Sequence, residues 1–212
     1  LNLAGHSPDP TRLNGRAMHE DDLLRRSAEK NNPISEYYFR MSAAFVAYLF
    51  RDYDRAAEHC DSIEDFGTRF PAAYSSSVQA FYDGLVSFAM ARKSAGEKRR
   101  RYWKERGRRA IQKFQRWSKD CPRNNAHKVL LLKAENFALK GRKSRKYRRR
   151  AAAAFRASAA TAKENGFVND EAIAHERAAL FYQEIVGDNL LYKEHLYLSL
   201  SLYRAWGATA KV

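Results

Sequence analysis

The sequence predicts an all-α fold: a solenoid of about four antiparallel helical hairpins wound into a right-handed superhelix. Three observations carry this prediction. Apolar residues recur at helical spacing along most of the chain, and no run of alternating β-branched residues argues for a strand. Glycine (10) and proline (5) are sparse among 212 residues, while alanine, leucine, arginine and glutamate are plentiful; that mix favours helix. The longer leading helices begin near Ile34, Ala72, Ala126 and Asn169, at intervals of about 40 to 55 residues that suit two-helix repeats.

Taken in order, residues 1–18 read as an irregular lead-in carrying Pro8 and Pro10, and residues 19–212 as the helical-repeat domain. Glu20 to Lys30 is a short helix with acids in its first turn and bases in its last, which suits the helix dipole. Asn31-Asn32-Pro33 breaks it, and Pro33 is well placed in the first turn of the next helix. That helix, Ile34 to Phe50, carries Phe39, Ala43, Val46 and Phe50 on one stripe. A tight corner at Arg51 to Asp54 leads into a shorter partner, Tyr53 to Ile63. Phe66 to Pro71 is a loop. Ala72 to Lys93 follows, with Val78, Tyr82, Leu85 and Ala89 on one face. Its partner is Glu97 to Lys119, anchored by Trp103, Ala110, Phe114 and Trp117.

Cys121 to Asn125 is a stop and restart. Ala126 to Lys140 is helical and ended by Gly141; Ser144 to Asn165 is ended by Gly166. In the last pair, Ala174, Ala178, Phe181 and Ile185 form one stripe, and Leu191, His195, Leu198 and Leu202 form another. Gly187 and Gly207 sit where those two helices should stop, since glycine accepts the left-handed conformation that ends a helix. Joined by so short a turn, the two helices must lie antiparallel. Alone they cannot bury both faces, so they need neighbours of the same kind. Ala56-Ala57, Ala151 to Ala154 and Ala178-Ala179 mark close approaches between helices. The tetratricopeptide period is about 34 residues; the longer intervals are assigned to basic insertions near residues 92–109 and 140–150. The expected fold is therefore tetratricopeptide-like.

No apolar run approaches the roughly 20 residues that span a bilayer. The N-terminus lacks the charged region and apolar core of a signal peptide. It also lacks an initiator methionine, so a piece of a longer protein is expected. Cys60 and Cys121 form no CxxC, metal or disulfide pattern. A reducing intracellular setting, the cytoplasm, is expected, with Cys60 a small core residue.

Catalytic and cofactor motifs are absent from the sequence. There is no GxxxxGK[ST] and no GxGxxG, so no cofactor is expected. His175-Glu176 opens like HExxH, but Ala179 stands where the second histidine belongs. His59 and His127 have no ligand partner at helical spacing, and His195 on its apolar stripe reads as a core or half-buried histidine. The acidic groups Glu20-Asp21-Asp22 and Asp61/Glu64/Asp65 read as solvated charge at helix ends. No metal site, catalytic constellation or enzymatic activity is expected of this segment.

The charge is unevenly spread. Between Arg92 and Lys163 there are 26 Lys and Arg against 4 Asp and Glu, a net of +22; the other positions carry 13 against 20, a net of −7, for the chain's +15. Two clusters account for most of it. The first is Lys98 to Arg101 with Lys104, Arg106, Arg108 and Arg109, interleaved with Tyr102 and Trp103. The second is Lys140, Arg142, Lys143, Arg145, Lys146 and Arg148 to Arg150, with Tyr147. The candidate anion-binding residues are Arg99, Arg100, Arg101, Arg108, Arg109, Arg148, Arg149 and Arg150. Such runs can neutralise the phosphates of nucleic acid, serve as nuclear-localisation signals or meet an anionic membrane surface. Equally, they are solvated connections between helices. Tyr102 and Trp103 are expected to pack on the neighbouring helix.

Several stretches resemble segments of a known family: YLFRDYDRAAEH (Tyr48 to His59), FYDGLVSFA (Phe81 to Ala89), QRWSKDCPRNNAHKVLLLKAE (Gln115 to Glu135), AKENGFVNDEAIAHERAALFY (Ala162 to Tyr182) and YRAWGATAKV (Tyr203 to Val212). In this order they resemble the tetratricopeptide-like helical region of large multidomain signalling kinases. Those proteins carry a serine/threonine-kinase-like domain and an AAA-type ATPase before the region, and often a GAF sensor and a histidine kinase after it. The resemblance runs from about Gly15 onward and departs at the two basic clusters, which inherit no family role. It implies a non-catalytic interaction and relay module that links an upstream ATPase to sensor and output domains. Its partners would be those flanking domains, or a protein or peptide held in the concave groove. The alternative is a helical repeat that binds nucleic acid or an anionic surface through its basic middle.

Overall fold

The computed structural model describes residues 2–15, 18–63 and 74–212. Among the described residues there are nine α-helices and no strand. They are α1 (Glu20–Glu29), α2 (Pro33–Leu49), α3 (Tyr53–Ser62), α4 (Tyr74–Lys93), α5 (Glu97–Asp120), α6 (Pro122–Gly141), α7 (Arg145–Glu164), α8 (Val168–Phe181) and α9 (Asn189–Trp206). A π-helical turn, Tyr182–Val186, follows α8, and a 3-10 turn, Thr209–Lys211, follows α9. The all-α prediction holds. The loop expected at Phe66 to Pro71 lies outside the described residues.

Local chemistry sets the helix ends. Asn32 caps α2, its Oδ1 accepting from the Ser35 amide at 3.1 Å, with Pro33 in the first turn. Asp52 caps α3 through the Arg55 amide at 3.2 Å. Asp188 caps α9 by accepting from both Leu190 and Leu191. Each side chain satisfies amides that the first helical turn leaves without partners. Gly187 and Gly207 take φ of 81° and 84° and end their helices as expected. The restart after Cys121 comes sooner than expected: Pro122 opens α6 directly, because a proline lacks only an amide that a helix start does not use.

Packing follows chain order. Each helix from α2 on packs against the next in the chain, most extensively α6 with α7, α8 with α9 and α4 with α5. Helices two apart also touch: α2 with α4, α4 with α6 and α6 with α8. The core is one continuous cluster. Phe81, Leu85 and Phe88 of α4, Phe114 of α5, Leu131 and Leu132 of α6, Phe155 of α7 and Ile173 of α8 are fully buried in it. The predicted stripes face inward at Phe39, Ala43 and Val46, at Tyr82, Leu85 and Ala89, and at Ala174, Ala178 and Phe181. Leu198 differs, being 37% exposed. Two glycines let helices approach closely: a Cβ on Gly84 would lie 2.8 Å from Ala110 and Leu132, and one on Gly107 would lie 2.7 Å from the Phe88 ring.

The ends of the chain meet. The Ala210 amide donates to the Leu3 carbonyl at 2.9 Å. The Lys211 ammonium reaches the Leu49 carbonyl at the end of α2. The Phe45 and Trp206 rings lie 6.2 Å apart, so the first and last helical pairs are in contact.

Candidate functional site

Because consecutive helices reverse direction, the turns after α2, α4, α6 and α8 gather at one end of the molecule. A buried ionic network ties them together. Glu135 of α6, only 1% exposed, accepts from Arg177 of α8 at 2.6 Å and from Arg92 of α4 at 2.8 Å. Arg177 also donates to the Tyr53 hydroxyl at the start of α3. Alongside, Glu176 accepts from Arg51 in the α2–α3 corner at 3.0 Å, from Lys211 at 2.9 Å and from the Tyr203 hydroxyl. Burial alone would raise the Glu135 carboxyl, but Arg177 and Arg92 outweigh it and hold the group down at about 2. Glu176 is lowered in the same way, burial being overcome by Lys211 and Tyr203. Arg51 adopts a left-handed backbone, φ 64°, which places its side chain over α8.

The two basic clusters lie at this same end. Arg92, six residues before Lys98, meets Glu135, five before Lys140. The first cluster occupies the N-terminal half of α5 and the second the turn before α7 and its first turns. Only Arg142 and Lys143 of the named bases sit in a connection; the rest ride on helices.

The structure divides the candidates by what they touch. Arg99, Arg101 and Arg149 are exposed. Arg100 donates to the Ser94 carbonyl at 3.0 Å and faces Glu97 at 3.8 Å. Arg108 pairs with Glu105 at 3.0 Å. Arg109 is exposed and has interactions of its own. Arg148 closes the end of α6, donating to the Gly141 and Arg142 carbonyls; it serves the turn. Arg150 lies over the Phe137 and Tyr147 rings at 5.9 Å, while Lys140 covers Tyr147 at 4.8 Å. Arg106 is no surface charge at all: it is 2% exposed and joins Asp61 of α3 to Asp83 of α4. Trp103 is buried against the neighbouring helices as expected, whereas Tyr102 is 47% exposed.

Several polar contacts have no sequence signal, because they join helices far apart in the chain. His127 Nε2 meets Asp170 at 2.7 Å, beneath the stacked Phe167 ring, with Lys128 3.1 Å from the same carboxylate. His195 is buried as expected, and its Nδ1 lies 2.8 Å from Nδ1 of His175. Burial, then the neighbouring His195, pushes His175 down to about 4. His59 is also pushed down to about 4, by burial and then Arg55; neither of its ring nitrogens has a hydrogen-bond partner among the described residues. Glu20 is not solvated: it is 5% exposed, paired with Arg55, and accepts from the Leu13 amide. Cys60 is buried and Cys121 exposed.

Among the described residues no group of three or more His, Cys, Asp or Glu could hold a metal ion. None of their helices is long and apolar enough to cross a membrane. A cleft of about 430 Å³ opens between α1 and the start of α2, lined by Met18, His19, Asp22, Arg26, Lys30 and Asn32 among others. Comparison of the chain with protein-family models, curated proteins and solved structures finds no match in any of the three.

Proposed function

We propose that this chain is a non-catalytic helical-repeat module for interaction and relay, of the kind that links an ATPase to sensor and output domains in a large intracellular signalling protein. The finer architecture belongs to the same proposal: four hairpins, α2–α3, α4–α5, α6–α7 and α8–α9, stacked as a tetratricopeptide-like right-handed solenoid. The contacts between α2 and α4, α4 and α6, and α6 and α8 support that stacking.

The observation that carries the reading is the ionic network at the end where the turns after α2, α4, α6 and α8 gather, the corner end. Repeats in an open solenoid couple only to their neighbours. Here Arg51–Glu176 and Tyr53–Arg177 couple the first hairpin directly to the last, so a push on one is felt by the other. The contact between Leu3 and Ala210 brings attachment points on both sides together. Domains joined there would sit beside each other, with the helical stack as their common base.

The test is to express the chain within its complete open reading frame and compare hydrogen exchange with that of the chain alone. The reading expects kinase, ATPase or sensor domains on its flanks, and added protection near Leu3, Lys211 and the α2–α3 corner. ATP hydrolysis by the chain alone, or flanks that leave those amides unprotected, would contradict it.

A further inference from the structure

The cations that the fold leaves to solvent at the corner end include six on helices, Lys98, Arg99 and Arg101 on α5 and Arg145, Lys146 and Arg149 on α7, beside Arg142 and Lys143 in the turn before α7. The neighbouring acids do not neutralise them; Glu97 faces Arg100 and Glu105 holds Arg108. None of the six has an ion-pair partner among the described residues.

Their placement opposes the stability of the free protein. A helix N-terminus carries a partial positive charge and favours acids, yet α7 opens with Arg145 and Lys146 and has no acid in its first turn. Lys98 and Arg101 stand three apart, and Arg145 and Arg149 four apart, so like charges face each other on one helix surface. A polyanion laid across this end would relieve both penalties at once.

Tyr102 adds a second element. It lies among the first three cations, 47% exposed. The Arg106 guanidinium donates to its hydroxyl at 3.2 Å, and the Trp103 ring supports it edge-on at 5.0 Å. Its ring is therefore a fixed aromatic surface inside a basic patch. A membrane would ask for apolar anchors instead. The other large exposed apolar side chains, such as Ile34, Tyr74, Leu190 and Tyr197, lie outside both clusters.

We infer that the corner end docks single-stranded nucleic acid, with phosphates on the six cations and an unstacked base on Tyr102. Phosphate neutralisation supplies the attraction, and stacking on the aromatic ring favours a single strand over a duplex, whose bases are already stacked. This inference stands apart from the relay reading.

The experiment is fluorescence anisotropy of a labelled, mixed-sequence single-stranded oligonucleotide across a salt series. Six single-strand contacts predict that raising salt from about 50 to about 200 mM weakens binding about 300-fold, and three contacts about 20-fold. The triple variants K98A/R99A/R101A and R145A/K146A/R149A should each show the shallower dependence. Both should keep the helical circular-dichroism spectrum, since each removes repulsion. Tyr102→Ala should weaken single-strand binding about tenfold and leave the salt dependence unchanged. R25A/R26A on α1 should bind as the unaltered chain does. The inference is overturned by absence of oligonucleotide binding, by unchanged salt dependence in both triple variants, by tighter binding of the matching duplex, or by preference for phosphatidylserine vesicles.

Discussion

At the scale of single residues, the close contacts decide more than the helical pattern does. Gly107 is the clearest case. Its absent side chain makes room for the Phe88 ring, so Gly107→Ala gains about 1 kcal/mol of helix propensity but forces the ring to move, at about 1–3 kcal/mol. Urea unfolding should show net destabilisation, with Gly96→Ala, which meets nothing within 4 Å, as the comparison. His59 offers the opposite case. It is 8% exposed with both ring nitrogens unpartnered among the described residues, and an unmade buried hydrogen bond is expensive. His59→Leu should raise stability by about 1 kcal/mol at neutral pH; a loss would mean that the ring has a partner. Neither site was legible in the sequence. Gly107 falls within a run of arginines, and burial of His59 depends on Phe39 across the α2–α3 pair. Cys60 and His195 were legible, Cys60 as a small residue on a helix face and His195 as a member of an apolar stripe of helical period.

At the scale of elements, sequence reasoning located the helices. Helix signals are local: the break at Asn31-Asn32-Pro33, the corner at Arg51 to Asp54, the stops Gly187 and Gly207, and stripes of period 3.6. What it could not see is how the pairs lock, because that depends on charged residues brought together across more than forty positions. Glu135 reads as an isolated acid in a basic stretch; in the fold it is the shared acceptor of Arg92 and Arg177. Removing it leaves Arg177, 6% exposed, as an uncompensated buried charge. Glu135→Ala should therefore cost about 3–5 kcal/mol and loosen α4, α6 and α8 together. Replacing surface Glu164 by alanine should change stability by less than about 0.5 kcal/mol. The basic clusters show the same limit. Composition revealed them, but only the fold separates Arg106, a buried tie between α3 and α4, and Arg148, which closes α6, from the cations left to solvent.

At the scale of the whole molecule, the buried ionisable groups predict how stability depends on pH. His59 and His175 bind their protons near 4 in the folded chain, against 6.5 when unperturbed. The unfolded chain therefore binds more protons between those values, and stability falls as pH drops from 6.5 to about 4. Glu135 is held at about 2 against 4.5, and Asp170 and Glu176 are also lowered. Their contribution is complete above 4.5 and is lost as pH falls toward 2. Glu171, raised by burial, acts in the opposite sense and is the one raised carboxyl among the described residues. Thermal unfolding followed by circular dichroism should thus show Tm declining in two stages, one below pH 6.5 and one below pH 4.5. A Tm that rises from pH 6.5 to 4 would contradict this ordering of charges.

The same ties should make the molecule unfold as one cooperative body. A stack whose repeats met only their neighbours would unfold piecemeal, with each hairpin opening at its own free energy. Contact of the α2–α3 corner and Lys211 with α8, through Arg51, Tyr53, Glu176 and Arg177, joins them instead. Native-state hydrogen exchange tests this most directly. The slowest amides of α2, α6 and α8 should share one opening free energy in the unaltered chain. In Glu176→Gln, which weakens the tie between the ends, α2 should exchange measurably sooner than α6. Separate opening free energies for these helices in the unaltered chain would contradict a single coupled unit, and with it the proposed relay function.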